Sequence, residues 1–291
     1  MSEKKLGLLY ALSAFLFWGL TPMYYKQITM VPPFEILAHR VVFSVVVLVF
    51  LLFISKQFNT LKPIFKSLAK MKYLIFASIL ISINWFTFIY SISVNKIVEA
   101  SLGYFITPLV TVALGFLIFQ ERVNKAQGIA IVLAIIAVVY QLATLGTIPI
   151  IALTLAFSFG FYGMVRKKIA ISSIPGLFIE TIVILPIALI YLNFLVQNEQ
   201  SVFNTLSTYD MTVLSLSGLV TVLPLLWFNA AATRMSLTAL GFIQYIGPTV
   251  AFLVAVFVYD EVLNLNKLIT FTLIWVALVI FSLDGLKRRK A

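Results

Sequence analysis

Ten runs of about 20 mostly apolar residues, each long enough to cross a hydrocarbon layer as a helix, follow one another through this chain with little between them. They are Leu6–Tyr25, Phe34–Ile54, Tyr73–Val94, Val98–Phe119, Gly128–Leu145, Ile148–Val165, Pro175–Phe194, Thr212–Ala232, Leu237–Tyr259 and Lys267–Leu283. Hydrophobic residues make up 62% of the chain and charged residues 11%, against roughly one half and one quarter in soluble domains. Most of the surface must therefore meet lipid. Only helices and closed barrels satisfy the backbone there, and the runs lack the alternation of barrel strands. The fold class expected is an all-α polytopic membrane protein with ten transmembrane helices.

The cations are placed between the runs, and their placement orients the chain. With the N-terminus on the cytoplasmic side, seventeen Lys and Arg residues fall inside, among them the clusters Lys56–Lys72, Arg166–Lys168 and Lys287–Lys290. Only Lys26, Lys96 and Lys267 fall outside, and Arg40 lies within a run. Cytoplasmic loops carry the excess of positive charge, so both termini are expected inside. This location also accounts for the +11 net charge without nucleic acid as a partner; the partners expected are the lipid bilayer and a small-molecule substrate. The first apolar run, after Lys4 and Lys5, is too long for a signal-peptide core.

The fourth and ninth runs resemble each other. Glu99–Glu121 and Leu237–Glu261 both pass from a small residue, Leu and Gly through an aromatic-rich segment to a Pro, then end in Glu; Pro108 and Pro248 each precede that Glu by 13 positions. Phe15–Gly19 likewise matches Phe159–Gly163, and aligning the second and seventh runs sets Arg40 against Glu180. Three matches in the same order predict two five-helix repeats, 1–146 and 147–291. Five is odd, so the second repeat is inverted relative to the first, a design used by secondary transporters. Between the second and third runs, Leu61, Ile64, Phe65 and Leu68 recur at helical spacing among lysines and predict a short amphipathic helix lying on the membrane.

Ionisable groups at membrane depth are functional candidates by default. His39, Arg40 and Glu180 are the candidates for proton coupling, with Arg40–Glu180 as an ion pair between the halves; the structural alternative is a pair that only locks packing. Histidine switches near neutral pH, which makes protons a candidate partner. Trp18, Asn84, Trp85, Tyr104, Tyr162, Asn229, Gln244 and Tyr245 are polar or amphipathic residues in the runs and candidates for a substrate-binding wall; interhelical hydrogen bonding and aromatic packing are the competing reading for each. Tyr90 and Trp227 share that character. Pro108 and Pro248 remove backbone donors and are candidate helix kinks, as are Pro186 and Pro224. Glu99 flanks a tight outer turn with Lys96, where solvation or helix N-terminal stabilisation explains it; Glu121 and Glu261 end their runs, where pairing with loop cations or backbone donors explains them.

With no cysteine and one histidine, Cys-based and multi-His metal sites are excluded. There is no phosphate-gripping GxxxxGK with a following Ser or Thr, and no HExxH. No cofactor, metal or enzymatic activity is expected.

Glu35–Arg40, Glu99–Pro108, Gly163–Ile169, Ala230–Arg234 and Leu240–Pro248, together with the ten-run pattern, resemble the EamA branch of the drug/metabolite transporter superfamily. The resemblance implies a bacterial inner-membrane permease, an exporter or exchanger of small metabolites or drug-like solutes, which moves them through a cavity between the halves. The alternative is a non-transporting membrane interaction or assembly protein, whose polar residues only stitch helices together.

Overall fold

A computed structural model describes residues 2–94, 96–145, 148–260 and 265–290. Expectations for Glu261 and for the 146/147 junction lie outside the described residues. Among the described residues ten helices are long and apolar enough to span a membrane. The spanning helices are α1 (Glu3–Tyr25), α2 (Pro33–Ile54), α4 (Leu68–Ser93), α5 (Ile97–Phe119), α6 (Lys125–Leu145), α7 (Ile150–Ile169), α8 (Ser173–Gln197), α9 (Thr208–Ala232), the pair α10 (Leu237–Gln244) and α11 (Ile246–Val258), and α12 (Leu265–Lys290); α3 (Leu61–Phe65) is a short connector. Phe53, Leu117, Ile187, Ile190 and Phe257 are each more than two-thirds exposed. Apolar area on that scale is stable only against lipid, and the protein is a multi-pass membrane protein.

Several starts are set by side-chain caps. Ser67, Ser207 and Ser236 accept from the backbone N–H three residues on, opening α4, α9 and α10, and Pro33 sits in the first turn of α2, where its missing donor matters least. The Ser67 cap also corrects the amphipathic helix. The helix between the second and third spans stops at Phe65, and Leu68, 78% exposed, opens the spanning helix five residues before the expected Tyr73.

The packing has a two-fold pattern. α4 lies on α7 as α9 lies on α1; α5 lies on α7 as α10–α11 lie on α1; α2 pairs with α8, and α6 with α12. Shifting every span by five exchanges the members of these pairs. The two equivalent helices α5 and α10 cross antiparallel, with Gly241 against Pro108 and Val112 and Leu237 against Gly115. A Cβ on Gly241 would stand 2.8 Å from Pro108 O and 2.8 Å from Val112 Cγ2, so only glycine allows this approach.

The ninth span, expected from Leu237 to Tyr259 with a candidate kink at Pro248, is broken outright. α10 ends at Gln244 and α11 starts at Ile246. Pro248 has no N–H to give Gln244 O, so the i→i−4 ladder fails there, and Tyr245 N instead donates to Phe242 O at 3.2 Å. Pro108 lies inside a continuous α5. The break has a large consequence for packing. α10 follows the C-terminal half of α5, whereas α11 leans onto α1 and barely touches α5. The bundle is thus closed between α5 and α10 at the end carrying Glu3, here the N-terminal end, and parted between α5 and α11 at the opposite end.

Candidate functional site

The seal at the N-terminal end begins with a turn. Gln120 adopts a left-handed conformation, φ 51°, and Glu121 N returns to Gly115 O at 3.1 Å. This swings the Glu121 carboxylate onto the start of α10, where it accepts from Leu237 N, Thr238 N and Thr238 Oγ1, each at 2.8 Å. Lys167 Nζ lies 3.8 Å away. A carboxylate is at home on the orphan donors and positive dipole end of a helix. Glu121 therefore clamps α5 to α10, in the structural role expected of it. Glu99 does the same for α7, accepting from Ile151 N at 2.8 Å.

Deeper lies a sealed polar quartet. Arg166 Nη1 donates to Glu180 Oε1 at 3.0 Å, Tyr162 OH to Glu180 Oε2 at 3.0 Å, and Asn229 Nδ2 to Tyr162 OH at 2.9 Å. All four residues are 0% exposed. Gly176 makes room for the guanidinium: a Cβ there would sit 2.1 Å from Arg166 Nη1. Beside the quartet, Phe15, Trp18, Phe159 and Phe228 pack ring on ring, with centroids 4.8–6.0 Å apart. The two motifs matched in sequence, around Trp18 and Tyr162, meet here. A cavity of about 610 Å³ opens at the N-terminal end between α1, α9 and the α7–α8 turn, lined by Tyr10, Trp227 and Ile171 among others. Ile171 O accepts from Arg166 at 3.4 Å, which places the quartet directly behind that cavity.

This geometry corrects the expected Arg40–Glu180 pair. Each is the eighth residue of its helix, so the repeats do match, but inversion measures those equal depths from opposite ends. At 1.5 Å per residue each lies about 10 Å inside its own end, which leaves about 10 Å between them along the axis. Glu180 takes Arg166 instead. Arg166 was read as a loop cation, yet α7 continues past Val165 to Ile169 and buries it. Its position four residues after Tyr162, one turn along the same face, is the signal that could have found it.

Arg40 lies toward the opposite end. Its Nε donates to Thr221 Oγ1 at 3.0 Å, and its guanidinium lies 5.2 Å from the Trp85 ring and 5.5 Å from the Tyr25 ring. Among the described residues no carboxylate pairs with it. Tyr104 is 46% exposed and shares with Pro108, Thr111 and Gly115 the face of α5 turned to α10–α11, at helical spacing, so it opens into the gap between α5 and α11. Tyr25, Arg40, Trp85 and Tyr104 thus gather where α5 and α11 part, and Tyr25 and Thr221 are the members that sequence reasoning missed. His39, the neighbour of Arg40 in sequence, turns elsewhere. It stacks on Phe203 at 4.6 Å and Phe43 at 5.9 Å, with Nε2 3.8 Å from Glu35 Oε1 and no hydrogen-bond partner among the described residues.

The remaining candidates divide. Tyr162 and Asn229 belong to the sealed quartet. Asn84 Nδ2 donates to Leu155 O at 3.0 Å and Ser158 Oγ at 3.1 Å, stitching α4 to α7. Gln244 and Tyr245 are buried between α10–α11 and α5, where Gln244 accepts from Thr111 at 3.3 Å and Tyr245 OH donates to Phe105 O at 3.2 Å. Trp18 keeps partial exposure. Among the described residues no three His, Asp or Glu side chains gather as metal ligands.

The model of the EamA-like transporter family matches the chain twice, over residues 5–142 and 147–283. The chain belongs to the EamA-like transporter family. It is 46% identical over 286 residues to an uncharacterized transporter of Vibrio cholerae serotype O1, covering 98% of this chain and 94% of that one. It is 45% identical over 284 residues to the protein RarD of Escherichia coli K12, covering 98% and 96%. A chloramphenicol-sensitive protein RarD of Pseudomonas aeruginosa is 26% identical over 283 residues, covering 96% and 94%. A solved crystal structure superposes with a TM-score of 0.73 over 95% of this chain and 97% of its own at 16% identity, a likeness that concerns the fold alone.

Proposed function

We propose that this EamA-family protein is a secondary transporter of a small organic solute, working by alternating access between two inverted repeats that divide at 146/147. One observation carries the reading: α5 is clamped to α10 at the N-terminal end and parted from α11 at the other. In an inverted-repeat bundle the same sequence can exchange the two arrangements, closing one end as it opens the other. The Pro248 break lets the two halves of the ninth span lean independently. Tyr25, Arg40, Trp85 and Tyr104 form the solute site, and the N-terminal cavity is the second vestibule, walled off by the quartet.

We assign the N-terminal end to the cytoplasm of a bacterial inner membrane on the excess of cations there, and the direction of flow to export or exchange. His39, whose Nε2 has no hydrogen-bond partner among the described residues, takes the proton-accepting role; Glu180, locked by Arg166 and Tyr162, is structural. The test is counterflow in proteoliposomes with a panel of labelled aromatic, amino-acid and drug-like solutes. Saturable exchange above protein-free liposomes supports the reading. A panel that gives none, with a protein folded by circular dichroism, overturns it in favour of the assembly role.

A further inference from the structure

We infer that the site at the parted end selects an organic anion, a single carboxylate carried on a flat or aromatic frame, and rejects solutes bearing an ammonium group. The inference rests on the transport reading only in taking this cavity as the solute site. The charge around the cavity is one-sided. Among the described residues the Arg40 guanidinium is hydrogen-bonded through Nε alone, to Thr221, and the residue keeps 8% exposure, with its terminal amino groups left for a ligand. The electrostatic neighbours of Tyr104 are Arg40 and Tyr25, and those of Tyr24 are Tyr25 and Arg40, with no carboxylate in either set.

The acidic groups that an ammonium would need are committed elsewhere. Glu35 is 0% exposed and holds Ser201 Oγ at 2.6 Å and Val202 N at 3.3 Å. Glu180 is held by Arg166 and Tyr162 behind the aromatic cluster. Glu99 is turned to Ile151 N and Lys96. Among the described residues, a cation beside Arg40 would meet a like charge, and none of these three carboxylates is turned to it. A carboxylate would meet the free Nη1/Nη2 edge of the guanidinium, which recognises it bidentately, and a frame attached to it would lie against Trp85, Tyr25 and Tyr104. Trp85 and Tyr25 also hold the guanidinium over their faces, which favours a cation with no carboxylate present and keeps the site charged while empty.

The test is direct binding, measured by titration calorimetry on the full chain in nanodiscs, with three probes on one frame: phenylacetate, phenylalanine and phenethylamine. Phenylacetate is expected to bind at least about tenfold more tightly than phenylalanine, and phenethylamine not at all, in line with the weight of hydrogen bonds to charged groups. Arg40→Gln is expected to abolish the preference, and Arg40→Lys, which keeps the charge if the glutamine variant fails to fold, to retain the order with weaker binding. Equal affinities for the three probes, tighter binding of phenylalanine or phenethylamine, or no binding of phenylacetate overturns the inference. The transport reading fails separately: phenylacetate bound without exchange of any solute would leave the anion site standing and remove the transporter, whereas saturable exchange of phenethylamine would do the reverse.

Discussion

Removing one partner of the sealed quartet should unbalance it more than removing two. In Glu180→Leu, Arg166 loses its 3.0 Å carboxylate and keeps only Ile171 O at 3.4 Å, while remaining 0% exposed. Leaving a buried charge unpaired costs about 3–5 kcal/mol. Tyr162 also loses an acceptor but still receives Asn229 at 2.9 Å, so its share is smaller. At about 2–4 °C per kcal/mol, the apparent melting temperature in detergent should fall by about 10 °C. The double variant Arg166→Met/Glu180→Leu removes both charges and should recover at least half of that fall, because buried ion pairs often lose little when both members become apolar. Thermal unfolding followed by circular dichroism measures all three proteins. A Glu180→Leu protein as stable as the parent, or a double variant worse than Glu180→Leu alone, would refute the view that Arg166 and Glu180 exist chiefly to neutralise each other.

Other expectations follow from the same contacts. Gly176→Ala puts a methyl 2.1 Å from Arg166 Nη1, and overpacking of this kind should destabilise by about 1–3 kcal/mol, read in the same melts. Glu121→Ala strips three hydrogen bonds from the start of α10; a cysteine introduced at Leu237, fully buried against Gly115, should then react with a maleimide about tenfold faster, as expected for a loss of about 1.4 kcal/mol in the clamp. His39→Asn should abolish the response of flux to a pH gradient and leave counterflow intact, and flux that still follows the gradient would remove His39 from coupling.

Much of the architecture was legible because it rests on patterns that local physics dictates. Ten apolar runs give ten spans, and the proline that matched its counterpart at 13 residues from a Glu is the one that breaks the ninth span. Glu121 was legible as a helix-end residue because a carboxylate there has few other uses. The partner of Glu180 was not, for a geometric reason: aligning repeats gives equivalence, and under inversion equivalence means opposite depth. Helix ends were also blurred, since a Ser67 cap or the extra turn that buries Arg166 is decided by packing rather than hydropathy. The Arg40 site itself depends on Tyr25 and Thr221, which come from other helices and carry no signal at any fixed spacing from it.

The chain contains no cysteine, so spin labels can be placed in pairs without background, and distances between helix ends test alternating access most directly. One pair, Gln120→Cys with Ser236→Cys, reports the clamped end of α5 and α10; the other, Lys96→Cys with Tyr259→Cys, reports the parted end of α5 and α11. In nanodiscs alternating access predicts two populations for each pair, related inversely, so that conditions favouring a short distance at one end favour a long distance at the other. Two single, invariant distances, the first short and the second long under every solute and pH, would contradict it and leave a static bundle.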